Sequence, residues 1–223
     1  MKENLANVQN KIKLAAEKCG RNSGEITLVA VSKTKPVSDL QKAIACGVKI
    51  FGENKIQEAD AKITEIGREN AEWHLIGNLQ ANKARKAVKL FDVIHTLDSI
   101  ELAQRLERIC DEENRDKLQV FIQVDLAREE TKHGVSESDL PRLIDYLQTC
   151  KHLQLLGLML IPPYFDEVEL VRLYFKQLRE IRDNLLPNGK LSMGMSHDFE
   201  VAIEEGATHI RVGTAIFGER NYA

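Results

Sequence analysis

Apolar positions along the chain follow two periodicities that alternate. Short apolar runs, often β-branched, are separated by longer segments in which apolar residues recur every three or four positions. The runs read as strands buried on both faces, and the segments read as helices packed on one side. Residues 1–20 have helical period. The first run is Ile26-Thr27-Leu28-Val29-Ala30-Val31-Ser32. Further runs over 48–52, 72–76, 93–96, 120–124, 155–160, 191–193 and 209–212 bring the predicted strands to eight. Helices are predicted between them. Ser38, then Asp98 or Ser99, and Ser136 or Ser138 stand as N-caps, and Gly47, Pro187-Asn188-Gly189 and Gly206 as stops. In the helix over 166–186, Val168, Val171, Phe175 and Leu178 form an apolar stripe that faces a core.

Strands that alternate with helices need crossover connections, which makes the sheet parallel. Eight of them argue for a (β/α)8 TIM barrel with an extra N-terminal helix, and a doubly wound open sheet is the alternative. No Pro/Gly/Ser-rich linker or low-complexity tract interrupts the 223 residues, so residues 1–223 read as a single domain.

Composition narrows the class. With 43% hydrophobic and 29% charged residues, the chain can bury a full core. A formal net charge of −3 gives no footprint for nucleic acid, and the basic run Asn82-Lys83-Ala84-Arg85-Lys86 reads as a solvated helix face. Cys19, Cys46, Cys110 and Cys150 are far apart and show neither a CxxC nor a Cys/His ligand spacing. Neither a metal site nor a disulfide framework is therefore expected, and reduced thiols point to a cytoplasmic protein. The N-terminus has no apolar h-region of a signal peptide, and no window is long and apolar enough to cross a bilayer.

In a barrel of this kind, chemistry collects just after the strands. Those places hold Lys33, then Gly52-Glu53-Asn54, Gly77-Asn78, Asp125 with Lys132, Gly194-Met195-Ser196 and Gly213-Thr214. Small and hydroxylated residues after strands seven and eight suit a phosphate, because backbone N–H groups can approach its oxygens there. Lys33 lies at the end of a buried strand, where desolvation disfavours the ammonium and leaves a nucleophilic amine. A lysine snorkelling into water is the alternative at that position. Arg211 lies between Ile210 and Val212, so alternation points it opposite to its apolar neighbours. It is either a site residue or an arginine paired with a buried carboxylate or placed at the bottom rim. A phosphate cradle, a strand-end lysine and an arginine together suit pyridoxal 5′-phosphate, with the lysine as imine partner and the arginine at the ring nitrogen. A donor-only arginine disfavours a protonated pyridinium and weakens the ring as an electron sink.

Several long segments resemble the pyridoxal-phosphate homeostasis family. They are Ala30-Val31-Ser32-Lys33-Thr34-Lys35-Pro36, Phe51-Gly52-Glu53-Asn54, Trp73-His74-Leu75-Ile76-Gly77-Asn78-Leu79-Gln80, Ser192-Met193-Gly194-Met195-Ser196-His197-Asp198 and Arg211-Val212-Gly213-Thr214-Ala215-Ile216-Phe217-Gly218. They occur in order over nearly the whole chain. The resemblance implies a barrel similar to the N-terminal domain of alanine racemase, with the cofactor as a Schiff base on Lys33. It further implies phosphate contacts at Ser196, Gly213 and Thr214, the ring-nitrogen partner at Arg211, and a cofactor-side amide at Asn54. It also implies a monomeric, non-catalytic carrier that buffers the cofactor, affects amino-acid and keto-acid balance, and has apo pyridoxal-phosphate enzymes as recipients. Lys35 and Lys132 match other lysines that the family offers near the site. The chain departs from the family pattern at Lys55, where an aromatic residue is usual, and at Leu160, where a small or hydroxylated one is. It also ends at Ala223 without the lysine-bearing tail of some members.

The enzymatic alternative is an amino-acid racemase, which needs an acid/base on each face of the bound substrate. In two-domain racemases a tyrosine from the partner subunit serves the second face. Here Tyr146 and Tyr174 fall in predicted helices, Tyr222 lies near the end, and Tyr164, after Pro162-Pro163, is the tyrosine nearest the expected site. His74 and His95 read as satisfied core or rim histidines rather than bases. No catalytic residue is therefore assigned.

Overall fold

The computed structural model describes residues 1–127 and 133–219. Lys132 and Tyr222 lie outside the described residues. Eight parallel strands close into one barrel in sequence order: β1 (Thr27–Val31), β2 (Ile50–Glu53), β3 (Glu72–Leu75), β4 (Val93–Leu97), β5 (Leu118–Gln123), β6 (Leu153–Met159), β7 (Lys190–Met195) and β8 (His209–Val212). The ring is sealed where β8 pairs with β1, Thr27 opposite His209 and Ala30 opposite Val212. The open-sheet alternative is excluded by that last pairing.

Seven helices lie between successive strands: α2 (Val37–Ala45), α3 (Ile56–Ile66), α4 (Ala84–Leu90), α5 (Ile100–Glu112), α6 (Leu140–Thr149), α7 (Arg172–Leu185) and α8 (Phe199–Glu204). Helix α1 (Lys2–Lys18) precedes β1, and short α9 (Thr214–Phe217) follows β8. Helix α1 packs against α8 and α9, tying the start of the barrel to its end. Asn4 donates to the carbonyl of Ile216 on α9 (3.1 Å), and Arg21, just past α1, donates to the Ile203 and Ala207 carbonyls beside α8 (2.9 Å each).

The amphipathic periods work as the sequence predicts, except that the helix expected from 166 begins at Arg172, after a 3₁₀ turn over Val168–Val171 in which Val168 is only partly buried. On α5 the buried positions are Leu102, Ala103, Leu106, Ile109 and Cys110, and Ser99 accepts the Leu102 N–H at 3.2 Å. On α7 the buried residues are Phe175, Leu178 and Ile181, with Val171 in the 3₁₀ turn before it. The basic run on α4 is a solvated face: Arg85 pairs with Glu112 and Glu113, and Lys86 with Asp60 at 2.6 Å. Two cap expectations move. Helix α2 starts at Val37 with Pro36 as N-cap, because the ring already holds φ at −69°, and Ser38 falls inside the first turn. Helix α6 starts at Leu140, with Pro141 in its first turn, and Ser136 instead accepts the Asp139 N–H in the turn before it.

The strands separate two interiors. The main core lies outside the barrel, where Trp73, Leu75, Ile94, Val120, Ile122, Leu191, Ile210 and Val212 meet the helices. Inside the barrel a small apolar cluster of Val93, Phe121 and Met159 stands apart from it. Buried polar residues occupy the alternate positions of the same strands: His74, His95, Ser192, His209 and Arg211.

Candidate functional site

The residues singled out from the sequence lie on one arc of the barrel rim, at the C-terminal ends of β7, β8, β1 and β2. These four strands are neighbours in the ring. Lys33 and Asn54 follow β1 and β2, Ser196 follows β7, Arg211 is inside β8, and Gly213-Thr214 follow it.

Lys33 is partly buried and sits in a tight turn directly past Ser32. The next residue, Thr34, has φ of 66°, a left-handed conformation that a β-branched residue adopts at a cost. A buried charge cluster holds this turn. Lys62 Nζ, on α3, donates to the Ser32 carbonyl (2.7 Å), to Glu53 Oε1 (2.7 Å) and to Glu58 Oε1 (2.6 Å). Ser32 Oγ donates to Glu53 Oε1 at 2.6 Å, and Glu58 accepts the Thr34 N–H at 2.5 Å. Burial pushes the Glu53 carboxyl above its usual range, opposed by Lys62 and the Ser32 hydroxyl. Sequence reasoning missed this support. Its signal is Lys62 itself, a lysine on the buried face of α3 beside Ala59 and Ile63.

The chain after β7 is set by a bulge. Ser192 pairs with His209 but Met195 pairs with Arg211, so β7 carries one extra residue against β8. Gly194, with φ of 92°, takes up the kink, and a Cβ there would come within 2.6 Å of the Ala202 Cβ on α8. Asp198 accepts the Met195 N–H at 2.5 Å and steadies the turn. Ser196 then lies across the gap to the chain after β8, where its Oγ accepts the N–H groups of Gly213 (3.1 Å) and Ala215 (3.4 Å). Thr214 is exposed at the same rim. These N–H and O–H donors match an anion in character.

Arg211 is only 4% exposed. Its Nη1 donates to Ser192 Oγ (2.7 Å) and its Nη2 to the Leu160 carbonyl (2.9 Å). Both acceptors are neutral, and among the described residues no carboxylate lies at ion-pair distance. The carboxylate-paired alternative is therefore set aside, and so is the bottom rim, because Arg211 is in the C-terminal half of β8. Burial lowers its pKa to about 10, opposed by the charge of Asp198, so the guanidinium stays protonated at neutral pH. Burial likewise raises the Asp198 carboxyl above the usual aspartate range. Leu160 is buried and takes part through its backbone carbonyl, so its departure from the family pattern leaves this contact intact.

Lys35 and Tyr164 do not point to a role at the arc. The Lys35 ammonium donates to the carbonyls of Phe217 (3.1 Å), Gly218 (3.1 Å) and Glu219 (2.8 Å), closing the end of α9. Tyr164, 76% exposed, stacks on His197 with ring centroids 5.5 Å apart. Tyr174 packs against Phe165, and burial pushes the Tyr146 hydroxyl up to about 12. Lys55 is the exposed N-cap of α3. Among the described residues no group of three or more His, Cys, Asp or Glu side chains could hold a metal ion, and no helix is long and apolar enough to cross a membrane.

The donor set fits pyridoxal 5′-phosphate. It offers an amine, a cluster of N–H and O–H donors two strands away, and between them a guanidinium with five donors, two of them engaged by described residues.

Comparison with known proteins agrees. A family model described as alanine racemase, N-terminal domain, matches residues 4–221. The pyridoxal phosphate homeostasis protein of Aquifex aeolicus (strain VF5) is 43% identical over 227 residues, covering 99% of this chain and 98% of that one. PipY of Synechococcus elongatus PCC7942, solved with PLP bound, superposes with a TM-score of 0.84 at 38% identity over 97% of this chain and 99% of its own. Alanine racemase from Corynebacterium glutamicum shares the fold, with a TM-score of 0.68 at 18% identity, and the match spans 62% of that longer chain. The chain belongs to the pyridoxal phosphate homeostasis family, within the alanine racemase N-terminal domain superfamily.

Proposed function

We propose that the chain binds pyridoxal 5′-phosphate at the rim arc between β7 and β2 and serves as a carrier that buffers the cofactor. The observation that carries this reading is Arg211. It is a buried cation with spare donors, on the strand between the lysine and the anion-type donors. Arg211 meets an unprotonated ring nitrogen, because it can donate but not accept. Lys33 would supply the amine that holds the cofactor through its aldehyde carbon. Ser196, Gly213 and Thr214 hold the phosphate, and Asn54 lies on the β2 side. When bound, the cofactor supplies an electrophilic carbon and an electron sink.

The same arginine favours a carrier over a racemase. A ring nitrogen kept unprotonated draws electrons weakly, so proton removal from a bound amino acid is poorly supported. No second base is placed over the arc by the described tyrosines. Apo pyridoxal-phosphate enzymes are the recipients that this reading implies, with the chain acting as a cytoplasmic monomer.

The test is the visible absorbance of the purified protein, loaded with cofactor, before and after borohydride. A chromophore whose reduced adduct maps to Lys33, and which is lost in Lys33→Ala with the fold intact, supports the reading. A protein that takes up no added cofactor, or an adduct on another lysine, overturns it. Absence of racemisation in the loaded protein separates carrier from enzyme.

A further inference from the structure

A continuous line of hydrogen-bonding side chains runs through the barrel interior to Arg211. It starts at Glu72, at the N-terminal end of β3, whose side chain is 45% exposed. Glu72 Oε1 lies 2.8 Å from His74 Nε2, and His74 Nδ1 lies 2.9 Å from His95 Nε2. His95 Nδ1 lies 2.8 Å from Ser192 Oγ, which also accepts from Arg211 Nη1 at 2.7 Å. His74, His95 and Ser192 are at most 1% exposed, and the Phe121 ring stacks on His95 at 4.6 Å.

The protons on this line can be counted. Arg211 only donates, so Ser192 Oγ accepts from it. His95 is fully enclosed, and burial holds its pKa well below the usual histidine range, so it carries one ring proton. If that proton is on Nε2, His95 donates to His74 Nδ1 and the Ser192 hydroxyl donates to His95 Nδ1. His74 is then neutral, with its own proton on Nε2 facing Glu72. If instead the proton is on Nδ1, His95 donates to Ser192 and accepts from His74 Nδ1–H. His74 must still present a proton to the Glu72 carboxylate, so it is an imidazolium. The two arrangements differ by one proton on the Glu72–His74 pair and by the direction of both bonds between His74 and Ser192.

We propose that this line is a one-proton switch in which the protonation of His74 decides whether the Ser192 hydroxyl, which keeps its hydrogen throughout, points that hydrogen at His95 or turns it away from His95 on the side of Arg211. His74, His95 and Ser192 are then positioning residues for the group that Arg211 faces. This consequence at the ring nitrogen rests on the cofactor reading above. His95 changes tautomer rather than charge, so the signal passes from His74 to Ser192 without placing a charge on His95. Among the described residues, the titratable groups that contact His74 are Glu72 on its own strand, His95 on β4 and His209 on β8; one step further out, Arg211 acts on His95 and His209, and Lys190, at the start of β7, acts on Glu72 and His209. Glu72 opens into a crevice that also holds Arg68, Asp92, Arg115 and Lys117.

The switch is tested first without cofactor, by ¹H–¹⁵N correlation of the histidine ring nitrogens across the pH range in which the protein stays folded. His95 is expected to move its proton from Nε2 to Nδ1 at the same midpoint at which His74 gains its second proton. Glu72→Gln removes the carboxylate that holds the Nε2 proton of His74 in both arrangements, so the coupled change is expected to move to lower pH. A His95 tautomer that stays fixed while His74 titrates, or a His74 that never titrates in the folded protein, overturns the switch. In the loaded protein the pH midpoint of the visible band is expected to shift with Glu72→Gln while the adduct still maps to Lys33. An adduct on Lys33 with an unmoved band refutes the coupling to Arg211. Failure to form any adduct refutes the cofactor reading and leaves the ring-nitrogen result to decide the switch.

Discussion

The shell between strands and helices and the space inside the barrel are built by the same eight strands, yet they obey different chemistry. On β8, Ile210 and Val212 join the outer core while His209 and Arg211 line the interior. On β7, Leu191 and Met193 face out and Ser192 faces in. On β3, Trp73 stacks on Phe51 in the shell at 5.4 Å while His74 meets His95 inside. Both faces are buried, so burial alone does not separate scaffold from site. What separates them is the kind of satisfaction. Outside, side chains are satisfied by packing. Inside, beside the small apolar cluster, the polar side chains are satisfied one hydrogen bond at a time.

The comparison breaks most plainly at a shell residue. Phe175→Ala, at a fully buried position on α7, is expected to lower stability by about 3–5 kcal/mol, read by denaturant titration. The folded fraction should still attach cofactor at Lys33. Loss of attachment in that fraction would mean that shell and interior are not separable.

The charge cluster behind Lys33 tests the opposite limit. Lys62→Met leaves Glu53 buried without its cation and is expected to cost about 3–5 kcal/mol. Adding Glu53→Leu removes the stranded carboxylate and should recover most of that loss. A double variant no more stable than the single one would show that packing, not charge, is what Lys62 supplies.

Acid should find the interior before the shell. Burial depresses the pKa of His209 to about 3 and that of His95 well below the usual value. Both groups bind protons more readily when unfolded, so their contribution is full above the ordinary histidine pKa and is lost as pH falls below it. Between pH 7 and pH 5 the loss is about 2 kcal/mol for each, measured as the pH dependence of the unfolding free energy. His209→Leu should flatten that slope, and an unchanged slope would sink the assignment.

The smallest effect belongs to the shell's polar edge. Ser99→Ala removes the cap of α5 and should cost about 1 kcal/mol by the same titration. A loss several times larger would show that this position is more than a helix end.

The architecture was legible because strands buried on both faces and helices buried on one leave different periods in the chain. The arc of Lys33, Ser196, Arg211 and Gly213 was legible because a barrel puts strand ends together, whatever their distance in sequence. Cap positions shifted where Pro36 and Pro141 impose their own geometry. Helix α9 was not foreseen, since four residues give too little period to read. The histidine line was visible only as isolated polar residues in apolar strands. That His74 touches His95, and His95 Ser192, depends on which strands neighbour across the barrel and on the bulge in β7, neither of which a single sequence displays.

The seam between β8 and β1 joins the last strand made to the first. On the ribosome, β1 must wait with an unpaired edge until β8 has emerged. The arc carrying Lys33 and Arg211 straddles that seam, so the proposed site is complete only once the ring is shut. Synthesis therefore acts as a gate. A chain that stops before β8 lacks one side of the arc proposed for the cofactor, so cofactor uptake is expected to report completion of the barrel.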